Sequence, residues 1–129
     1  MNYYTQNADA LFQRYSAVDA EYVHKDWRFL LPTTPGLACD IGAGSGRDAN
    51  WLATLGWDVV AVEPNKALRE LAVPLTQARV TFMDDSLPGL ARLRATSHRF
   101  DLILLSAVWM HVPVKERERA FRIVTELLA

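Results

Sequence analysis

Three short apolar runs in this chain each lead into a carboxylate. Leu37-Ala38-Cys39-Asp40-Ile41 opens into Gly42-Ala43-Gly44-Ser45-Gly46, Asp58-Val59-Val60-Ala61-Val62 runs into Glu63, and Val80-Thr81-Phe82-Met83 into Asp84-Asp85-Ser86. A fourth run, Phe100-Asp101-Leu102-Ile103-Leu104-Leu105, ends at Ser106. Solvation alone rarely arranges acids in this way. The glycines let a backbone turn pass close to a ligand, and a helix that follows points its free amides at it. A carboxylate about 20 residues further on is the usual partner of two ribose hydroxyls. An acid after the third run accepts from an exocyclic amine, and the next backbone amide donates to a ring nitrogen. Together these groups suit a nucleoside.

A dinucleotide such as NAD is the competing ligand, because Gly44-Ser45-Gly46-Arg47-Asp48-Ala49 satisfies the loose G-x-G-x-x-G/A pattern. Two features count against it. The turn begins at Gly42, so the register that follows the apolar run directly puts Arg47 where the third glycine belongs. Asp40 also sits at the mouth of the loop, where a carboxylate repels a pyrophosphate but attracts an ammonium beside a sulfonium. Electrostatics favours a methyl donor.

The elements that must position these residues alternate along the chain. Each apolar run is short and β-branched or continuous, as in strands buried on both faces. Helical composition follows at 47–55, closed by Gly56 in the place of a left-handed terminator. Pro64 suits the first turn of a helix through 67–72, a short helix fits within 88–95, and 115–129 carries Ala120, Phe121, Ile123, Val124, Leu127 and Leu128 on a helical stripe. This order predicts an α/β fold, a Rossmann-like parallel sheet flanked by helices. Its ligand then lies beyond the carboxyl ends of the strands, where strand order reverses. Ahead of a break at Leu31-Pro32-Thr33-Thr34-Pro35-Gly36, segments 8–15 and 20–31 read as helices, so 1–31 is expected to form a helical cap on a core at 37–129 of one domain.

The bulk numbers narrow the function. A net charge of -1 and scattered arginines (Arg92, Arg94, Arg99) argue against a nucleic-acid footprint. No apolar run approaches a membrane span, and the N-terminus lacks the basic and apolar regions of a signal peptide. The single cysteine, Cys39, excludes an internal disulfide and suits a reducing compartment, so the cytoplasm is expected. Cys39 itself reads as a small hydrophobe within a strand. His24 and His98 have no partners at metal-ligand spacing, Asp101 opens a strand away from the ligand end, and Glu116, Arg117, Glu118 and Arg119 read as a solvated helix face.

With these residues in view, the chain resembles the class I S-adenosylmethionine-dependent methyltransferases over nearly its whole length. The segment from Asp40 through Ala49 is similar to their first motif, Val60-Ala61-Val62-Glu63-Pro64-Asn65 to their second, and Phe82-Met83-Asp84-Asp85-Ser86-Leu87-Pro88 to their third. The segment from Phe100 through Pro113 is similar to the fourth, which in small-molecule members often carries a histidine where His111 stands. Tyr3-Tyr4 through Arg14-Tyr15 resembles a segment that folds over the cofactor.

The resemblance implies S-adenosylmethionine as cofactor and a strand order of 3-2-1-4. Asp40 and the loop of Gly42, Ala43, Gly44 and Gly46 would face its methionine part. Glu63, followed by Pro64, would take the ribose. Asp85 or Asp84, with the Ser86 amide, would take adenine, and Ser106 and Ala107 would line the floor beside the sulfonium. Trp109 and Met110 would line an acceptor pocket or pack under the last helix. His111 would act as general base where the acceptor must lose a proton, or else organise the loop before Pro113.

The family fold has seven strands and this chain supplies four, so an incomplete fold is expected. The fourth strand would be left as an edge that a second copy can cover as a homodimer. The leading function is methyl transfer to a small-molecule acceptor. A non-catalytic S-adenosylmethionine-binding module is the alternative, and an NAD-dependent oxidoreductase ranks third.

Overall fold

The structure, a computed structural model, describes residues 31, 32, 34–105 and 111–129. The expected cap (1–31, apart from Leu31), with Tyr3, Tyr4 and His24, lies outside the described residues, as do Ser106, Ala107, Trp109 and Met110.

Strands β1 (Leu37–Ile41), β2 (Asp58–Val62), β3 (Val80–Met83) and β4 (Leu102–Leu104) form one parallel sheet in the order β3-β2-β1-β4. Helix α1 (Arg47–Thr54) connects β1 to β2, α2 (Lys66–Ala72) leads towards β3, α3 (Ala91–Ala95) precedes β4, and α4 (Arg117–Glu126) follows it. Chain order moves outward from β1 to β3, then returns to the other side of β1. The reversal therefore falls at the carboxyl end of β1, beside the glycine loop.

Alternate residues of each strand feed opposite cores. Ala38, Val59 and Ala61 pack with Ala49, Trp51, Leu52 and Ala53 around α1 and with Trp57. Cys39, Ile41, Val60 and Val62 pack with Leu90, Leu93 and Phe100, and with Ile123, Val124 and Leu127 at α4. Burial on both faces is why these strands read as unbroken apolar runs. Cys39 is fully buried, as its strand position suggests, and burial drives its thiol pKa upward.

Helix boundaries depart from the sequence pattern in identifiable ways. Pro64 is not in the first helical turn. Asn65 is the N-cap of α2, its Oδ1 accepting from Leu68 N at 3.1 Å, so Pro64 precedes the cap. The stripe on the last helix is narrower than expected. Ala120, Ile123, Val124 and Leu127 are buried, while Phe121 and Leu128 are exposed. The helix ends at Glu126, because Phe100 captures the residues beyond it. Phe100 N donates to Leu127 O and Ala129 N to Phe100 O, both at 2.8 Å. Phe100 thus bridges Leu128 outside the β4 ladder, and residues of this chain meet the start of that strand. Asp101, exposed at the amino end of β4, accepts from Leu37 N at 3.0 Å and ties β4 to β1. Among the described residues no helix is long and apolar enough to cross a membrane.

Candidate functional site

The parallel register sets Ile41, Val62 and Met83 in one row across the sheet. The next row therefore holds Gly42, Glu63 and Asp84, which brings three motifs distant in sequence to one edge.

The glycine loop turns through the left-handed region at Gly42 (φ 77°), Gly44 (φ 57°) and Gly46 (φ 81°). Its first amides fasten to β2, with Gly42 N and Ala43 N both donating to Val62 O at 2.8 and 3.0 Å. At Gly46 a side chain is excluded by packing as well as by φ. A Cβ there would stand 3.0 Å from Thr76 Cγ2 and 3.1 Å from Phe82 Cζ. The loop is thus pressed against β3 and the turn after α2, and α1 starts directly behind it.

Glu63 ties the site together. It is 7% exposed, and its carboxylate accepts from Gly44 N (Oε1, 2.8 Å) and from Asn65 N (Oε2, 2.9 Å). A carboxylate has about four acceptor positions, so two remain for hydroxyl donors. Burial raises its pKa, opposed by the Asn65 and Gly44 amides and by the charge of Arg69.

Asp40 is the least satisfied group. It is 1% exposed, and among the described residues neither carboxylate oxygen has a hydrogen-bond partner. Burial, reinforced by the negative charges of Asp48 and Glu63 and opposed by Arg47, pushes its pKa up to about 8. Asp48 is also buried, with Arg47 Nε at 3.1 Å from its Oδ1. An unpartnered buried carboxylate costs free energy, and a donor cation relieves that cost.

The two acids after β3 divide their roles. Asp85 folds back on its own chain, accepting from Ser86 N and from Leu93 N, both at 2.9 Å, and so anchors α3. Asp84 points outward, half exposed, with Arg69 Nη1 at 3.4 Å from its Oδ1. Sequence alone left these two open and gave no sign of Arg69, whose role depends on a contact between α2 and the end of β3. His111 is exposed, just before buried Val112, while Ser106 falls outside the described residues. Among the described residues there is no cluster of His, Cys, Asp and Glu suited to a metal ion.

Residues 38–129 match the model of the methyltransferase domain family. The chain belongs to that family. Solved structures support the fold of this methyltransferase domain. It superposes on the complex DhpI-SAM-HEP with a TM-score of 0.77 at 19% identity, covering 98% of this chain and 58% of that one. A glycopeptide N-methyltransferase, MtfA, complexed with S-adenosylmethionine gives 0.72 at 19% identity, covering 87% and 51%. A TehB-like S-adenosylmethionine-dependent methyltransferase from Corynebacterium glutamicum gives 0.72 at 18% identity, covering 95% and 67%. The chain thus spans roughly half to two thirds of these proteins. A comparison with curated protein sequences gave no match.

Proposed function

We propose that this methyltransferase domain binds S-adenosylmethionine across the carboxyl ends of β1, β2 and β3 and transfers its methyl group to a small-molecule acceptor. The observation that carries the reading is Asp40, a buried carboxylate with both oxygens unpartnered at the mouth of a glycine loop. The ammonium of a methionine moiety donates to it and favours its ionised form, whereas the pyrophosphate of NAD brings no donor to these oxygens and is repelled by the Glu63 carboxylate. Gly42, Ala43, Gly44 and Gly46 line the methionine end. Glu63, ahead of Pro64, accepts from the ribose hydroxyls with its two open positions. The adenine falls to Asp84, Asp85 and Ser86. Of these Asp84 has the more exposed carboxylate, since Asp85 holds Ser86 N and Leu93 N. Ser106 is assigned to the floor by resemblance alone.

When bound, the cofactor supplies a methyl group on a sulfonium that is already activated for in-line displacement. The chain's task is then alignment, which is worth roughly 7–11 kcal/mol when donor and acceptor are well oriented. His111, which follows β4 in the chain, takes a proton from an acceptor that must lose one.

Calorimetric titration with S-adenosylmethionine, S-adenosylhomocysteine and NAD, on wild type and Glu63→Ala, tests the cofactor. Binding of the first two, lost in the variant, is the expected result, and binding of NAD alone would sink the reading. A methyl-transfer assay then separates an enzyme from a module that binds without turnover.

A further inference from the structure

Arg69 joins two strand ends. Its Nη1 lies 2.7 Å from the carbonyl oxygen of Glu63 and 3.4 Å from Asp84 Oδ1. Its side chain is 18% exposed, against 48% for Asp84, so the guanidinium lies inward and the carboxylate reaches to it. The place matters because, among the described residues, β3 is the edge of the sheet and pairs with β2 alone. Beyond the last paired row, Glu63 N donates to Met83 O at 3.0 Å, and the Arg69 contacts continue that attachment outward. A planar guanidinium can serve two acceptors on different elements from a fixed position, which a lysine ammonium on a flexible stem does less well.

We propose that Arg69 is a positioning residue for nucleoside recognition, bracing the end of β3 against the end of β2 so that Glu63 and Asp84 meet one ligand as a fixed pair. The inference rests on the reading that Glu63 takes the ribose. Arg69 also acts through charge. Around Glu63 the described groups are the Asp40 carboxylate from β1, the Gly44 and Asn65 amides, and the Arg69 guanidinium from α2, with Asp84 on the far side of Arg69. Arg69 thus favours the ionised form of Glu63, the form that accepts two hydroxyl donors. Its removal shifts protonation of Glu63 to higher pH, and affinity for the nucleoside falls earlier as pH is lowered.

The test compares wild type with Arg69→Met, Arg69→Lys and Asp84→Asn. One readout is the carboxyl titration of Glu63 by NMR in the ligand-free protein. The other is calorimetric affinity for S-adenosylhomocysteine between pH 5 and 8. Arg69→Met should raise the Glu63 titration midpoint and weaken binding about tenfold at pH 7, with a larger loss at lower pH. Arg69→Lys should recover the wild-type pH profile while binding more weakly, and Asp84→Asn should weaken binding without moving the profile. An Arg69→Met protein that is folded, titrates at Glu63 like wild type and binds within twofold of it would overturn the brace. A wild type that binds no S-adenosylhomocysteine overturns the nucleoside reading instead, and the Glu63 titration then decides whether Arg69 acts on Glu63.

Discussion

Gly44 N donates to Glu63 Oε1 at 2.8 Å, joining the glycine loop after β1 to the carboxylate after β2 across 19 residues of sequence. The carboxylate that is proposed to hold the ribose therefore also shapes the loop proposed to hold the methionine. Binding and architecture share one side chain, so substitutions at Glu63 should affect both.

Glu63→Gln tests both effects. An amide retains one acceptor oxygen, for either Gly44 N or Asn65 N, and presents its NH2 group to the other, leaving a buried donor without a partner. The variant should lose ~1–3 kcal/mol of stability in urea unfolding. Calorimetry should also show S-adenosylhomocysteine affinity reduced by about tenfold or more. Unchanged stability would mean that the two amide contacts do not act as described.

Asp40 predicts a pH dependence with a definite sign. Its pKa is raised from 3.8 to about 8 in the folded protein. Between these values the folded state holds a proton that the unfolded state has released. Its contribution to stability is complete below the unfolded pKa and is lost as pH rises through the folded one, by up to roughly 1.4 kcal/mol per pH unit. Urea midpoints should fall from pH 5 to pH 9 in wild type, and Asp40→Asn should flatten the curve. Binding of a cationic cofactor at pH 7 should release protons, visible as a calorimetric enthalpy that varies with the buffer's ionisation heat. A wild-type curve that matches Asp40→Asn across this range would contradict the assignment.

Gly46→Ala introduces a Cβ at φ 81°, close to Thr76 Cγ2 and Phe82 Cζ. The left-handed backbone costs ~1–2 kcal/mol for an L-residue, before any displacement of Phe82. Thermal unfolding should shift downward by several degrees, at about 4 °C per kcal/mol for a domain of this size.

Asp84 and Asp85 should behave oppositely although they are neighbours. Asp85→Ala strands the amides of Ser86 and Leu93 and should destabilise the protein by ~1–2 kcal/mol through α3. Asp84→Ala, at a half-exposed side chain, should change stability by less than ~1 kcal/mol. Urea unfolding of the two variants side by side checks the division.

His111→Ala should leave cofactor affinity unchanged, since His111 lies outside the three-strand row that is proposed to hold the nucleoside. If the acceptor loses a proton in the transition state, turnover should fall about 10²–10⁴-fold. Equal turnover by the variant would remove His111 from the mechanism.

The strands were legible from sequence because a strand buried on both faces must be apolar along its length. Leu37–Ile41 and Asp58–Val62 stand where that pattern puts them. The alternation of elements with helical composition also dictated a parallel sheet, and hence that Asp40, Glu63 and the Asp84-Asp85 pair would share one edge. What the tertiary structure decided depends on contacts between residues far apart in the chain. Phe100 captures Leu127 and Ala129 and ends the last helix early, and the core reaches Ile123 and Leu127 but leaves Phe121 in solvent. Asp85 turns inward because the Leu93 amide waits eight residues later, whereas Asp84 stays half exposed beside a guanidinium brought over by α2. Local sequence sets propensity and periodicity. Which carboxylate keeps a free oxygen is set by which amides and cations the folded chain brings within about 3 Å of it.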